Sequence, residues 1–330
     1  MALRSSFVAA HIAKWEAALK SQYRPYREKW PSRLFHHAPV ENAAKILADG
    51  YLRSRNDPGN TRDRDVAAGG VIESRSHAHE SVRLYFRPRT PTQWHIEGIR
   101  KPGECSYGDA AHAPVLVMFV FDALRVLSQD GIQVCDRNMQ LGSAVPSSDE
   151  AYFDSIPFDK VYHEGGTGGD RSIIEHRCAE VLAVSPLDLE NGHLQWIGCR
   201  TAAEKATLLH LLGEELAARW SRRIIISDDL LVFERKYVFV EEVSLSPEGV
   251  VFQLSPRADA QAVDVRIRAW SGDGKEAVSF HNTQMAARPM PPPQRWRVPQ
   301  KLTNGRYLIQ IELEGHLAFK GFLTLKDGIF

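Results

Sequence analysis

Residues 176–189 read HRCAEVLAVSPLDL. The run after Arg177 is apolar and strand-like, yet a glutamate, Glu180, stands at its head. A carboxylate there is either a solvated strand end or a placed piece of chemistry. The segment in front, HEGGTGGDR (163–171), lacks the Gly-Lys-Ser/Thr ending of a phosphate-binding loop and reads as a hinge-like loop ahead of the strand.

Further upstream, SVRLYFRPRTP (81–91) reads as a strand that stops at its prolines, and APVLVMFVF (113–121) as a second, more deeply buried strand. LFHH (34–37) is a short strand. Val40, Ala43, Ala44 and Leu47 then recur at helical spacing until Gly50 closes the helix. Residues 53–80, rich in Arg, Asp, Gly and Asn, form a long loop of the kind that is functional or mobile in a compact domain. VCDRNM (134–139) is an edge or turn. Residues 7–30 carry a helical rhythm that runs into QYRPYREKWPSR (22–33), where Arg24, Arg27, Lys29 and Arg33 interleave with Tyr23, Tyr26 and Trp30. Arginines beside aromatic rings hold phosphates and stack bases. The same composition also fits a solvated helix end.

Downstream, TAAE (201–204) is a capping box opening a helix whose apolar stripe is Leu209, Leu212 and Leu216. Beyond residue 224 only strand patterns follow. VDVRIRAW (263–270) places Val263, Val265, Ile267 and Ala269 on one face; RYLIQIELEG (306–315) does the same with Tyr307, Ile309, Ile311 and Leu313, behind an Asn304-Gly305 turn. ARPMPPPQ (287–294) is a stiff, extended connector. These short strands predict an antiparallel sandwich, where Trp270, Trp296, Arg295 and Arg297 are the hints of a contact surface.

Net charge is zero, with 41 basic and 41 acidic residues, so any nucleic acid must be held by a local patch rather than by the field of the whole protein. No two of Cys105, Cys135, Cys178 and Cys199 are spaced as a metal knuckle or redox pair, and reduced thiols without a metal are expected. The apolar run 113–121 is too short for a bilayer, and MALRSSFVAAHIAKW has no export signal. A cytoplasmic protein without a membrane partner is expected.

Five segments in order resemble the DarT family of NAD-dependent nucleic-acid ADP-ribosyltransferases over residues 33–235. LFHHAPVENAAKILADGYL (34–52) is similar to the family's opening strand and helix, with Phe35-His36 and Asn42 in the matching places. VIESRSHAHESVRLYFRPRTP (71–91) resembles the segment carrying a loop arginine, here Arg75, then His79, Tyr85-Phe86 and Pro88-Arg89-Thr90-Pro91. APVLVMFVF fits the next core strand. VCDRNM keeps Asp136 and Asn138 of a family turn whose glycine is Arg137 here. HRCAEVLAVSPLDL keeps Arg177 and Glu180. Pro39 stands where the family has a second histidine.

The fold expected is α+β: the resemblance implies an ADP-ribosyltransferase-like mixed domain with a split β core, placed at residues 1–238, and the strand pattern beyond it predicts an all-β, immunoglobulin-like sandwich over 239–330. The resemblance also implies NAD as co-substrate, no metal, and transfer of ADP-ribose to a base of single-stranded DNA with release of nicotinamide. Glu180 would stabilise positive charge developing on the ribose, together with Arg75 at the diphosphate or the acceptor. His36, Asn42, Tyr85 and Phe86 would bind NAD. Arg89 and Arg177 would hold phosphates of NAD or of a strand, beside Asp136 and Asn138, which also suit a purely turn-shaping part. A toxin or phage-defence effector opposed by a macrodomain antitoxin is the implied setting. Transfer to RNA or protein, or a catalytically silent module that binds a nucleotide or a partner, stays open at this point.

Overall fold

A computed structural model describes residues 2–63, 79–101, 103–109, 111–226, 228–256, 261–286 and 294–326. The first body is built on a seven-stranded sheet of order β5-β6-β3-β1-β4-β8-β9. Its strands are β1 (Arg33–Pro39), β3 (Ser81–Tyr85), β4 (Leu116–Asp122), β5 (Gln133–Cys135), β6 (Glu180–Val184), β8 (Leu194–Cys199) and β9 (Ile224–Ile226). Two further short strands, β2 (Tyr51–Leu52) and β7 (Leu187–Asp188), pair beside it. In β4 every residue from Leu116 to Phe121 is fully buried, which explains its unbroken apolar run.

The register splits this sheet. β1 pairs β4 along its whole length, from Arg33↔Asp122 to Pro39↔Leu116. It meets β3 at a single position, Phe35↔Tyr85. Past that point His36 Nδ1 hydrogen-bonds the carbonyl of Arg83 at 3.0 Å instead of extending the ladder. The helix Val40–Asp49 leaves the end of β1, buries Val40, Ala43 and Leu47, and stops at Gly50, whose φ of 79° is the left-handed cap that glycine adopts without strain.

Two local expectations are corrected. The glycine loop does not feed β6 directly: a short helix, Arg171–His176, capped by Asp170, lies between them. At Thr201 only half of the capping box forms. Thr201 Oγ1 accepts from Glu204 N at 3.1 Å, but the Glu204 carboxylate accepts from Arg200 N and Nε, because a buried guanidinium is the stronger partner.

The second body is all β. One antiparallel sheet has the order β10-β11-β14 (Val240–Ser246, Gly249–Leu254, Gln294–Pro299). The other has the order β13-β12-β15-β16 (Glu276–Ala286, Ala262–Ser271, Gly305–Leu313, His316–Leu325). The alternating residues Val263, Val265, Ile267, Ala269, Tyr307, Ile309, Ile311 and Leu313 are all buried, and share one apolar cluster with Val250, Phe252 and Leu254 of the facing sheet. Most of the connector 287–294 lies outside the described residues.

The helix Ala202–Trp220 joins the two bodies. It breaks at Gly213 (φ 72°, ψ 174°), a left-handed backbone that suits glycine. Before the break, Ala203 packs into the sandwich cluster and Thr207 Oγ1 accepts from Lys320 N at 3.0 Å. After it, Trp220 Nε1 donates to Leu47 O at 3.0 Å. Beneath this helix lies a buried ionic cluster. Arg200 reaches Glu204 (Nε to Oε1, 2.9 Å), Glu97 (3.4 Å) and Pro114 O (2.8 Å). Glu97 accepts from Gln93 Nε2 (2.7 Å) and from the backbone N of Glu234 (3.0 Å). Each charge is met by several partners, the condition for keeping it in a dry interior.

Candidate active site

β6 carries Glu180 between two neighbours: it pairs Tyr85 of β3 and Cys135 of β5. Its side chain is wholly buried. Arg83, one side-chain repeat along β3, donates from Nε to Glu180 Oε2 at 3.1 Å and from Nη2 to Oε1. Met139 N adds a donor at 3.2 Å. Arg83 Nη2 also donates to Asn138 Oδ1 at 2.9 Å, and Gln140 N to the same oxygen at 2.9 Å. The VCDRNM turn therefore folds over the carboxylate and fixes the arginine that holds it. Burial works against the Arg83 charge, but Glu180 more than offsets it and holds the guanidinium's pKa above its ordinary value.

Arg83 and Tyr85 form part of the wall of a cleft of about 250 Å³, shared with His36, His37, Asn42 and residues of the 51–62 segment. The rings of His37 and Tyr85 stack at 5.5 Å and 4°. Burial raises the pKa of Tyr85, with Glu180 adding to it, so its hydroxyl stays protonated. Burial lowers the pKa of His36, and it lowers that of His37 to about 3; both rings are neutral at neutral pH. A carbonyl can only accept, so His36 Nδ1 carries the proton toward Arg83 O, and Nε2 is the ring's acceptor. Asn42 is buried in the cleft wall and its Oδ1 accepts from Asp63 N at 3.0 Å. Burial pushes the Cys178 thiol, two residues from Glu180, up to about 12, which rules it out as a thiolate nucleophile.

His36, Asn42 and Tyr85 thus come together at one cleft, with Glu180 behind Arg83 at its wall. Phe86 does not line the cleft. It is buried among Phe153 and Phe158, at 5.9 and 5.2 Å between ring centroids, because consecutive strand residues face opposite sides of a sheet. Asp136 also stays out of the cleft: it pairs with Arg137 (2.8 Å), and its backbone carbonyl accepts from His176 Nδ1 (2.8 Å). Arg75 lies outside the described residues. Sequence reasoning gives Arg83 and His37 no part in the site although both stand inside the quoted segments, 71–91 and 34–52. What brings Arg83 to Glu180 is strand register, which spacing along the chain does not reveal.

Arg89 and Arg177 line a second cleft, with Arg87, Trp94 and Glu164. Glu164 forms ion pairs with Arg89 and, at 3.6 Å, with Arg87. Trp30 lies 5.0 Å from the Arg87 guanidinium and Tyr26 5.4 Å from that of Arg89, so the basic–aromatic cluster near the N-terminus ends up packed against these arginines. Arg177 donates to His163 O (3.0 Å) and Gly165 O (2.7 Å).

No group of three or more potential metal ligands, and no helix long and apolar enough to cross a membrane, occurs among the described residues.

The family profile described as DarT, ssDNA thymidine ADP-ribosyltransferase, matches residues 35–231. No curated protein matches the chain. Among solved structures, the chain is similar to Thermus sp. 2.9 DarT in complex with ADP-ribosylated ssDNA, with 18% identity, 61% of this chain and 96% of that chain covered, and a TM-score of 0.48. The same Thermus protein in complex with NAD+ matches with 17% identity, 61% and 97% coverage and a TM-score of 0.46. Thermosipho africanus DarTG in complex with ADP-ribose matches with 16% identity, 66% and 54% coverage and a TM-score of 0.44.

Proposed function

This chain belongs to the DarT family of ssDNA thymidine ADP-ribosyltransferases, which use NAD to modify single-stranded DNA, and from that premise we propose that thymidine is its acceptor and the His36–Tyr85 cleft its reaction site. The observation that carries this reading is the wholly buried Glu180 carboxylate, fixed on β6 between β3 and β5 and held by Arg83, which lines a cleft with two stacked rings.

The residues present fit NAD. The stacked Tyr85 and His37 rings offer a face to a flat heterocycle, and His36 Nε2 is an acceptor for a ribose hydroxyl. Arg53, Arg55 and Arg62 of the cleft wall supply cations for a diphosphate. Arg75 keeps the part of a diphosphate or acceptor contact. NAD supplies the ADP-ribosyl group and the nicotinamide leaving group. The residues of the chain do the rest. Glu180 provides a preorganised negative charge for the positive charge that develops on the ribose. Arg83 stands between that carboxylate and the cleft, and the productive arrangement has it turn toward Asn138, which it already touches. Asn138 is therefore a positioning residue. A base has to leave a stack to reach the cleft, which favours a single strand over a duplex.

We place the boundary between the transferase and the sandwich at 238/239, just ahead of β10. A charged adduct on a template base blocks pairing, so we also read the protein as a cytoplasmic toxin or defence effector, opposed by a macrodomain partner that removes the mark. The test is mass spectrometry of DNA oligonucleotides with and without thymidine, an RNA oligonucleotide and a bystander protein after incubation with NAD. A mass gain of one ADP-ribose on thymidine-containing DNA alone supports the reading. Gain only on RNA, on protein or on DNA lacking thymidine refutes it.

A further inference from the structure

The sandwich presents a face with no part in the transferase chemistry. In its four-stranded sheet every second residue fills the apolar cluster, and the residues between them face the other way. The register lines up three of these. Trp270 of β12 lies opposite Leu308 of β15, and Leu308 lies opposite Phe322 of β16. None of the three belongs to the apolar cluster, and Phe322 is 47% exposed. The row on one side is Arg268, Gln310 and Lys320; on the other side Arg306 lies opposite Thr324. The Arg306 guanidinium is 4.0 Å from the Phe322 ring centroid, and that of Arg268 is 5.3 Å from Trp270. His210, on the helix Ala202–Trp220, meets Phe322 edge-on at 5.4 Å.

The charge around Phe322 is one-sided. Arg268 shares Glu312 at 3.6 Å, whereas Arg306 and Lys320 have no carboxylate partner among the described residues. Burial lowers the pKa of His210, and Lys320 and Arg306 lower it further, with no carboxylate acting against them. In a chain of zero net charge this is a local basic patch, set among rings. Its layout suits splayed bases. Trp270 and Phe322 are two strands apart, about 9.5 Å, against ~3.4 Å between stacked bases of one strand. A strand that uses both rings must be unstacked, which excludes a duplex. Bases stack on aromatic rings and on guanidinium planes alike. A peptide that extends a sheet needs a free edge, and beside Phe322 the edge is taken: Lys320 N donates to Thr207 Oγ1 of the helix.

We propose that this face of the sandwich is a second binding surface for single-stranded DNA, with bases stacked over the Arg306–Phe322 and Arg268–Trp270 pairs and phosphates met by Arg306 and Lys320. All of these residues lie outside residues 35–231, so the surface is an addition of this chain to the family domain. It holds a distant part of the strand whose thymidine occupies the His36–Tyr85 cleft, and to that extent the inference rests on the single-stranded DNA reading above.

The test uses the full chain and a fluorescent oligothymidylate of twenty-four nucleotides, with anisotropy measured at several salt concentrations. In Phe322→Ala, an exposed position where the variant folds, Kd rises about tenfold through lost stacking while the slope of log K against log salt stays the same. In Arg306→Gln and Lys320→Gln, Kd rises and the slope becomes shallower by about 0.7 for each phosphate that is no longer neutralised. Labelling of the same oligonucleotide from NAD by the wild type is measured in parallel, as is competition by polyglutamate. If the wild type labels the DNA but all three variants bind it with unchanged Kd and slope, this inference is wrong and the transferase reading stands. If only the two charge variants weaken binding and polyglutamate displaces the DNA, the face is a patch for acidic protein and the inference is again wrong. If the wild type binds with the expected dependence on Phe322 but labels nothing, the surface stands and the transferase reading falls. If it neither binds nor labels, both fall.

Discussion

Arg83 Nε lies 3.1 Å from Glu180 Oε2, and Nη2 of the same guanidinium reaches Oε1, so that one arginine grips both oxygens of a carboxylate with no exposed surface. The pair is asymmetric. The Arg83 side chain keeps 19% of its surface and faces the cleft, while Glu180 keeps none. Two charges taken out of water carry a large desolvation penalty, and the fork geometry with the extra donor from Met139 N is what makes the arrangement tolerable.

Removing one partner should expose that penalty. Arg83→Leu leaves the carboxylate buried and uncompensated, and should lower the free energy of unfolding by about 3–5 kcal/mol in a urea titration. Adding Glu180→Leu should recover most of the loss. A double variant as unstable as the single one would show that the pair is not coupled as described.

The cleft wall makes a second prediction. Tyr85→Ala removes a ring stacked on His37 and should raise KM for NAD about tenfold, whereas Tyr85→Phe, which keeps the stack, should change it less than about twofold. Steady-state kinetics at saturating DNA separate the two. Equal effects would assign the contact to the hydroxyl instead.

The junction between the two bodies gives a third. Arg200→Met leaves Glu97 and Glu204 buried without their cation, and should cost about 3–5 kcal/mol of stability by calorimetry. A loss below about 1 kcal/mol would mean the cluster is already relieved by water.

The fourth concerns acid. Burial pushes His11 down to about 3, with Lys14 adding to it; its ring sits 4.6 Å from Phe153 and 4.3 Å from Phe158. The folded protein holds it neutral, whereas the unfolded chain takes up a proton near pH 6.5. Its contribution to stability is therefore complete above pH 6.5 and falls away as the pH drops toward 3. His11→Phe should flatten the dependence of Tm on pH between about 6.5 and 4. An unchanged slope would point to other groups.

How much of the molecule is legible in its sequence depends on the kind of signal. The sandwich can be read because Val263 to Ala269 and Tyr307 to Leu313 alternate with period two, and burial follows the same period. Glu180 can be read because a charge at the head of an apolar strand is conspicuous. Phe86 departs from its expected place although the same alternation applies: Tyr85 faces the cleft, so its neighbour must face the core. Arg83 escapes sequence reasoning because its meeting with Glu180 is set by the β3–β6 register, in which Arg83 pairs Leu182 and Tyr85 pairs Glu180. Glu204 departs from the capping box because Arg200, whose guanidinium is fixed by the tertiary fold, outcompetes the local backbone partner.

The most direct measurement follows label from the adenosine side of NAD onto a thymidine-containing oligonucleotide, in wild-type protein and in Glu180→Gln. The account predicts modified DNA with the wild type and a rate at least about a hundredfold lower in the variant, with the variant's circular dichroism unchanged. Equal labelling by the two proteins would contradict it, and would take Glu180 out of the chemistry.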